Sequence, residues 1–365
     1  MPAPPWSMPT GFAPYEAMAD PLADAAIQCL VAHKLRPGQD TVTELHRLRR
    51  KAQLTVEQEE ALDAFFNHAE TPPDWVDWDA VSRGQRLMAM QALPVSASFL
   101  VGGLIESYTA PGIARILSET GRLSHSTARR IFETGQMVFD CAVEGNLVPG
   151  RMAHRTLLRV RLLHAFVRHH ASRHGVTNAI NQAEMAFTLG MFNVGVLKGM
   201  KRLGLVIPRQ TAQDYHHLWR TAGYWMGVHE ELLPATVEEA FRLQAELTDH
   251  LQHPDANSRQ LAHAVIHALK AKPPFLLSSR ALYALSRQLL GTQLADQLGF
   301  PSSRRWHLAL RATAPIVFAS GVAQVQSDRL RRGFQSAGLA FGSWALGLGL
   351  QGRPADFRLS SKNED

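Results

Sequence analysis

The sequence predicts an all-α protein, and three observations predict it. Apolar residues recur with a helical period along nearly all of the 365 residues. Runs of β-branched residues with period-two alternation are absent. Proline and glycine, as at Pro37-Gly38 and Pro72-Pro73, supply the interruptions. With 45% hydrophobic and 19% charged residues, the chain has enough apolar mass for one large domain or two smaller ones.

Taken in order, the first helix spans 21–35 and stops at Pro37-Gly38. Residues 41–68 give one or two more. Thr55-Val-Glu-Gln58 has the spacing of a capping box, in which a hydroxyl and an amide each satisfy a free backbone N–H. Beyond Pro72-Pro73 come helices over 79–92 and 96–108. Pro111 suits a first helical position, where no N–H is needed. Ser124-His-Ser126 precedes a helix over 127–144. The 145–150 turn leads into a long helix that ends at His174-Gly175. Further helices cover 182–203, 212–226, 236–251, 259–270 and 279–290, and the last three are placed at 306–312, 314–330 and 333–348. Residues 1–72 read as an N-terminal helical extension, 73–350 as the main helical domain, and 351–365 as a disordered tail.

Several function classes are set aside by what is missing. The net charge of +6 permits anionic partners without demanding them. The basic run from His46 to Lys51 reads as the wet face of a helix, not a nucleic-acid contact. Cys29 and Cys141 form no CxxC, CxxCH or zinc spacing, which fits a reducing compartment and leaves no covalent haem attachment by the usual motif. The first residues lack a basic n-region and an apolar h-region, so a cytoplasmic location is expected. The Gly-rich 337–350 segment is too short for a membrane span; it reads as a buried helix and is compatible with peripheral contact to a membrane or another subunit. Gly347-Leu-Gly349-Leu-Gln-Gly352 matches a dinucleotide fingerprint but has no room for the helix and strand that must follow. No HExxH, Glu-x-x-His or GxSxG occurs, which argues against zincin, di-iron and serine-hydrolase chemistry. His170/His174, His216-His217 and His263/His267 read as ordinary surface or structural histidines.

The run Arg159 to His170 carries the most information. At about 100° per residue, Arg161, His164 and Arg168 fall on one narrow stripe, and leucine, valine, alanine and phenylalanine cover most of the rest. A helix this apolar is normally buried. Buried arginines need partners, because an unpaired buried charge is costly. A solvated face, core carboxylates, or an anionic metal cofactor such as haem all remain open on the stripe alone.

A wider set of motifs shares a resemblance. Trp75-Val-Asp-Trp78, Tyr108-Thr-Ala-Pro111, Leu117-Ser-Glu-Thr-Gly121-Arg-Leu123 and Arg130-Ile-Phe-Glu133-Thr134 come first. The Arg159–Arg168 run, Ile180-Asn181-Gln182, Tyr215-x-x-Leu-Trp219-Arg220-x-x-Gly223 with Gly227-Val, and Leu232-Leu-Pro234 follow. In this order, over roughly 74–300, they resemble the latex-clearing-protein family of haem b oxygenases, whose superfamily includes prenyl-cleaving oxygenases of mycophenolic acid biosynthesis. The resemblance implies an all-α fold with a globin-like core and additional helices, and one non-covalent haem b held by the 73–350 domain. It implies His164 as the iron ligand, with Arg161, Arg168 and His169 as the neighbouring cofactor-binding residues. It further implies a distal group of Arg130, Glu133 and Thr134.

Two positions depart from the family pattern. Glu133 stands where rubber-cleaving members have lysine, and Ala179 stands where the turn before Ile180 usually has proline. Together with the missing secretion signal, the first departure points away from a polymer and toward a small lipophilic substrate.

On the helix, Arg130, Glu133 and Thr134 are spaced i, i+3, i+4 and share a face. An ordinary Arg130–Glu133 surface pair is the alternative, as core carboxylates are for Arg161 and Arg168. Met137, Val138, Phe187, Met191 and Phe192 are candidate apolar walls or plain core. The expected function is haem b-dependent activation of O2 to oxidise an apolar olefinic or isoprenoid-like substrate, with C=C cleavage as the family's reaction. A non-catalytic haem sensor or carrier, and a haem-free helical interaction protein, remain as alternatives.

Overall fold

The computed structural model describes residues 6–35, 41–51, 53–119 and 127–355. All regular elements among them are helical. The first four are α1 (Ala13–Glu16), α2 (Pro21–Ala32), α3 (Thr41–Lys51) and α4 (Val56–Glu70). Next come α5 (Trp78–Met90), α6 (Ala92–Ser98), a π-helical turn at Phe99–Gly103, α7 (Leu104–Ser107), α8 (Pro111–Glu119) and α9 (Thr127–Ala142). The centre of the fold is α10 (Met152–Arg173), followed by α11 (Gln182–Gly190), a second π-helical turn at Met191–Gly195, α12 (Val196–Arg202) and α13 (Arg209–Trp225). The rest are a short 3₁₀ turn at Glu230–Leu232, α14 (Val237–Leu251), α15 (Ala256–Leu269), α16 (Ser279–Leu290), α17 (Thr292–Gln297), α18 (Arg304–Gln326) and α19 (Asp328–Gly349).

Local chemistry explains the ends. Thr55 and Gln58 form the expected capping box of α4, and Asn181–Glu184 and Thr236–Glu239 form two more. Asp77 caps α5 by accepting from the N–H groups of Asp79 and Ala80. Pro111 opens α8, and His174 ends α10.

Two expectations need correction. Residues 304–326 form one helix with Pro315 inside it, and the break lies at Ser327, whose hydroxyl accepts from the N–H of Leu330. The helices placed at 96–108 and 182–203 are each interrupted by a π-helical turn. These turns pack on one another: a Cβ at Gly103 would stand 2.6 Å from the Met191 carbonyl oxygen, so no larger residue fits. Residues 36–40 and 120–126, with the predicted Pro37-Gly38 stop and the Gly121-to-Ser126 motif segments, lie outside the described residues, as does the tail from 356.

The helix α10 lies between two apolar clusters. Leu158, Leu162 and Ala165 pack with α2, α3 and α4, around Ile27, Leu45, Phe65 and Phe66. Ala153 and Leu157 belong instead to the main core, with Phe187, Tyr215, Leu218 and Trp225. This explains why α10 is apolar on nearly every side. The last helix α19 packs on α5, α6 and α9, and α18 packs on α16 and α19.

Candidate active site

A cavity of about 270 Å³ opens beside α10, near the small end of ligand pockets (roughly 300 Å³). Its walls are mainly apolar. Both π-helical turns contribute, with Phe99 and Gly103 from one and Met191 and Phe192 from the other. Such turns recur at functional sites because they widen and re-aim a helix locally. The Phe99 and Phe192 rings stack at 4.7 Å, and Phe192 meets Trp219 at 5.1 Å.

The structure brings four of the predicted site residues to this cavity: His164 from α10, and Arg130, Glu133 and Thr134 from α9. His164 is the single histidine on the lining, which holds no cysteine. Glu133 pairs with Arg129 at 3.0 Å, so the predicted alternative of an Arg130–Glu133 surface pair does not form. The Thr134 hydroxyl donates to the Arg130 carbonyl at 3.0 Å. Arg130 is the one arginine or lysine of the lining. Burial pulls its pKa down, with Tyr108 and Glu133 opposing.

The other predicted cofactor-binding residues are placed elsewhere. Arg161 is 2% exposed and grips Asp20 through two parallel bonds, Nε to Oδ2 at 2.6 Å and Nη2 to Oδ1 at 2.9 Å. Its remaining arm meets His68 Nδ1 at 3.0 Å, and burial together with Arg161 pushes His68 down to about 4. Arg168 donates through Nε to Asp24 at 2.8 Å and through Nη1 to the Ile180 carbonyl at 3.3 Å. Neither arginine lines the cavity. The expectation that they face a cofactor is therefore corrected in favour of core carboxylates. The reason is supply: the segment before α2 and its first turn bring two aspartates onto the stripe, and a buried guanidinium takes the nearest carboxylate. His169 is half-buried and also off the lining.

Arg168 still bears on the site through the backbone. Ile180 lines the cavity and has φ of +52°, a conformation that β-branched residues avoid. Arg168 holds its carbonyl, and the Asn181 cap fixes the next residue. Of the five predicted wall residues, Met137, Met191 and Phe192 line the cavity. Val138 lines a neighbouring groove, and Phe187 is fully buried in the core.

Two titratable residues on the lining were given no site role by the sequence. Glu184 is buried on the lining, and burial raises its carboxyl to about 7 despite the N–H of Asn181 that it accepts. The Asn181-x-x-Glu184 capping spacing was the signal available for it. Tyr108 is raised by burial and lies in the field of Arg130. The stray histidines are structural: His216 bonds Asn193 and the Pro234 carbonyl, and His217 accepts from the N–H of Asp77.

The donor set bears on which metal group would fit. No group of three or more His, Cys, Asp or Glu suited to a metal ion occurs among the described residues. A bare ion held only by protein needs three or four such ligands. A porphyrin brings its own nitrogens and asks the protein for one axial ligand inside apolar walls. One imidazole on an apolar cavity fits that demand.

Comparison with known proteins bears on the family and the fold. A family model described as "ER-bound oxygenase mpaB/B'/Rubber oxygenase, catalytic domain" matches residues 85–319. A rubber oxygenase from Streptomyces sp. (strain K30) is 25% identical over 248 residues, 65% of this chain and 60% of that protein. The chain therefore spans less than two thirds of that relative's length. A solved structure of latex clearing protein in the closed state superposes with a TM-score of 0.69 at 20% identity, over 90% of each chain.

Proposed function

Because the chain belongs to the family of the ER-bound oxygenase mpaB/B'/rubber oxygenase catalytic domain, we propose that it is a haem b-dependent oxygenase of small apolar, olefinic or isoprenoid-like molecules. The observation that carries the proposal is the meeting of His164 with Arg130, Glu133 and Thr134 on one largely apolar cavity. Haem, when bound, supplies the activation of O2 and its transfer to the substrate.

The residues divide the remaining work. His164 would hold the haem iron through one ring nitrogen. Arg130 is the guanidinium available within the cavity for an anionic group of the ligand or for developing negative charge. Glu133 is held by Arg129, which fixes a carboxylate on the cavity wall. Glu184, raised by burial to about 7, is the carboxyl on the lining suited to exchanging a proton near neutral pH. Phe99, Phe192, Met137 and Trp219 exclude water and give an apolar substrate its contacts. Among the described residues no single helix is long and apolar enough to cross a membrane; a cytoplasmic location is a separate part of this proposal.

Product analysis tests this reading. Purified protein is incubated with unsaturated terpenoids under O2 and under argon. Oxygenated or cleaved products appear with O2 alone, and they fall by at least roughly 100-fold in Glu133→Gln or Thr134→Ala with haem content unchanged. Haem-loaded protein that turns over no such compound is a carrier or sensor, and the enzyme assignment fails.

A further inference from the structure

We propose that the exposed sides of the consecutive helices α18 and α19 form a docking surface for an anionic phospholipid bilayer. The inference stands apart from the cavity and holds whether or not haem is bound there.

Charge is the first observation. Residues 304–353 contain seven arginines, one aspartate and no other charged residue. Their net +6 equals the formal charge of the whole chain, so the rest is close to neutral. The arginines sit at the ends: Arg304, Arg305 and Arg311 at the start of α18, Arg329, Arg331 and Arg332 after the turn, and Arg353 past α19. Asp328 offsets one of them, pairing with Arg331 at 2.9 Å. Residues 312–327 and 333–352 carry no charge.

Exposed apolar side chains are the second observation. Ile316 is 70% exposed, Phe318 49% and Trp344 46%, and Leu308, Leu330 and Leu348 join them. Most large exposed hydrophobics of the described residues are gathered on these two helices. Large exposed apolar side chains gathered on two consecutive helices mark a candidate contact surface. Arginines beside tryptophan, phenylalanine and leucine on a helix are the composition of elements lying in the headgroup layer.

The helix α19 is also firmly seated, so its outer face is set by the fold. A Cβ at Gly338 would stand 1.8 Å from the Ala89 carbonyl oxygen, and one at Gly349 would stand 2.1 Å from the Phe132 ring. These glycines let α19 lie directly on α5 and α9 and leave Trp344 and Leu348 outward. The groove under α19, about 80 Å³, is lined by Met88, Val95, Phe132 and Leu346, and it shares Phe99 with the main cavity. The Phe99 ring thus belongs to the walls of both.

Charge also chooses between occupants. A symmetric dimer through this face would bring two +6 surfaces together. An anionic bilayer supplies the opposite charge along with an apolar layer for Ile316 and Phe318. Each arginine near such a surface strengthens binding by about fivefold. The contact we propose is interfacial; among the described residues no single helix is long and apolar enough to cross.

Vesicle co-sedimentation of the full-length protein tests the proposal, using phosphatidylcholine with and without phosphatidylglycerol. Binding is expected to the phosphatidylglycerol vesicles only, and to fall as salt is raised. Combined Arg329→Gln, Arg331→Gln and Arg332→Gln should weaken partitioning by roughly 100-fold. Combined Ile316→Ser and Phe318→Ser should weaken it by at least about tenfold. Both variants should keep wild-type helicity and melting, because the altered side chains are exposed. Wild-type protein that stays in the supernatant overturns the proposal. So does undiminished binding by both variants. A dimer in light scattering that the Ile316→Ser and Phe318→Ser change dissolves would assign the face to a second copy instead.

Discussion

Helices α10 and α18 are alike as sequences and opposite as structure. They have 22 and 23 residues, both are rich in apolar side chains, and each carries several arginines with few or no acids. The helix α10 is buried between two clusters, and its Arg161 and Arg168 end on Asp20 and Asp24. The helix α18 has mostly exposed residues, including Leu308, Ile316 and Phe318. The difference lies outside both helices. The N-terminal segment carries two aspartates and an apolar face to α10, and nothing equivalent reaches α18 within the described chain. Burial of a basic apolar helix thus depends on who brings the counter-charge.

The largest expected effect is on the buried pair. Removing Arg161 leaves Asp20 as a stranded charge, so Arg161→Ala should cost about 3–5 kcal/mol in urea unfolding. Combining Arg161→Met with Asp20→Ala should recover most of that loss, because the expense lies in the unpaired charge. If the double variant is as unstable as the single one, packing and not charge holds the N-terminal segment on α10.

Glu184 sharpens the comparison from the cavity side of the same helical layer. Its folded pKa of about 7 lies above the ordinary carboxyl range, so the folded state binds more protons than the unfolded state between roughly pH 4.5 and 7. Its contribution to stability is present below that window and is lost as pH rises through 7. His68, lowered to about 4, acts in the opposite sense, so the informative quantity is the difference between wild type and Glu184→Gln. That difference should shift in the variant's favour by on the order of 2–3 kcal/mol between pH 5 and pH 8. Parallel stability curves would show that the carboxyl is better solvated than its position indicates.

The smallest effect belongs to α18. Ile316→Ser with Phe318→Ser should change unfolding free energy by no more than about 0.5 kcal/mol per site, since exposed side chains leave no cavity behind. A loss of several kcal/mol would mean that these residues are covered in solution.

Much of the fold was legible because it is local. Capping at Thr55, the proline start at Pro111 and the Ser279–Leu290 helix follow from patterns within a few residues. The two π-helical turns were not legible, because Phe-Leu-Val-Gly-Gly and Met-Phe-Asn-Val-Gly continue a helical pattern, and what opens them is the crossing of Gly103 with Met191. Pro315 signalled a break that did not occur, on a helix exposed enough to accommodate the ring. For the site, the requirement that Arg161 be paired was readable from its helix, whereas the identity of the partner was not, since Asp20 lies 141 residues away. His164 and the α9 trio were found through family motifs. Glu184 was hidden behind its role as a helix cap.

The central claim is that His164 ligates haem, and the visible absorption spectrum of the purified protein tests it most directly. Protein isolated from haem-replete cells is predicted to be red, with a Soret band that His164→Ala abolishes while leaving the fold intact by circular dichroism. Colourless wild-type protein that fails to take up added haem, or a Soret band unchanged in His164→Ala, would contradict it.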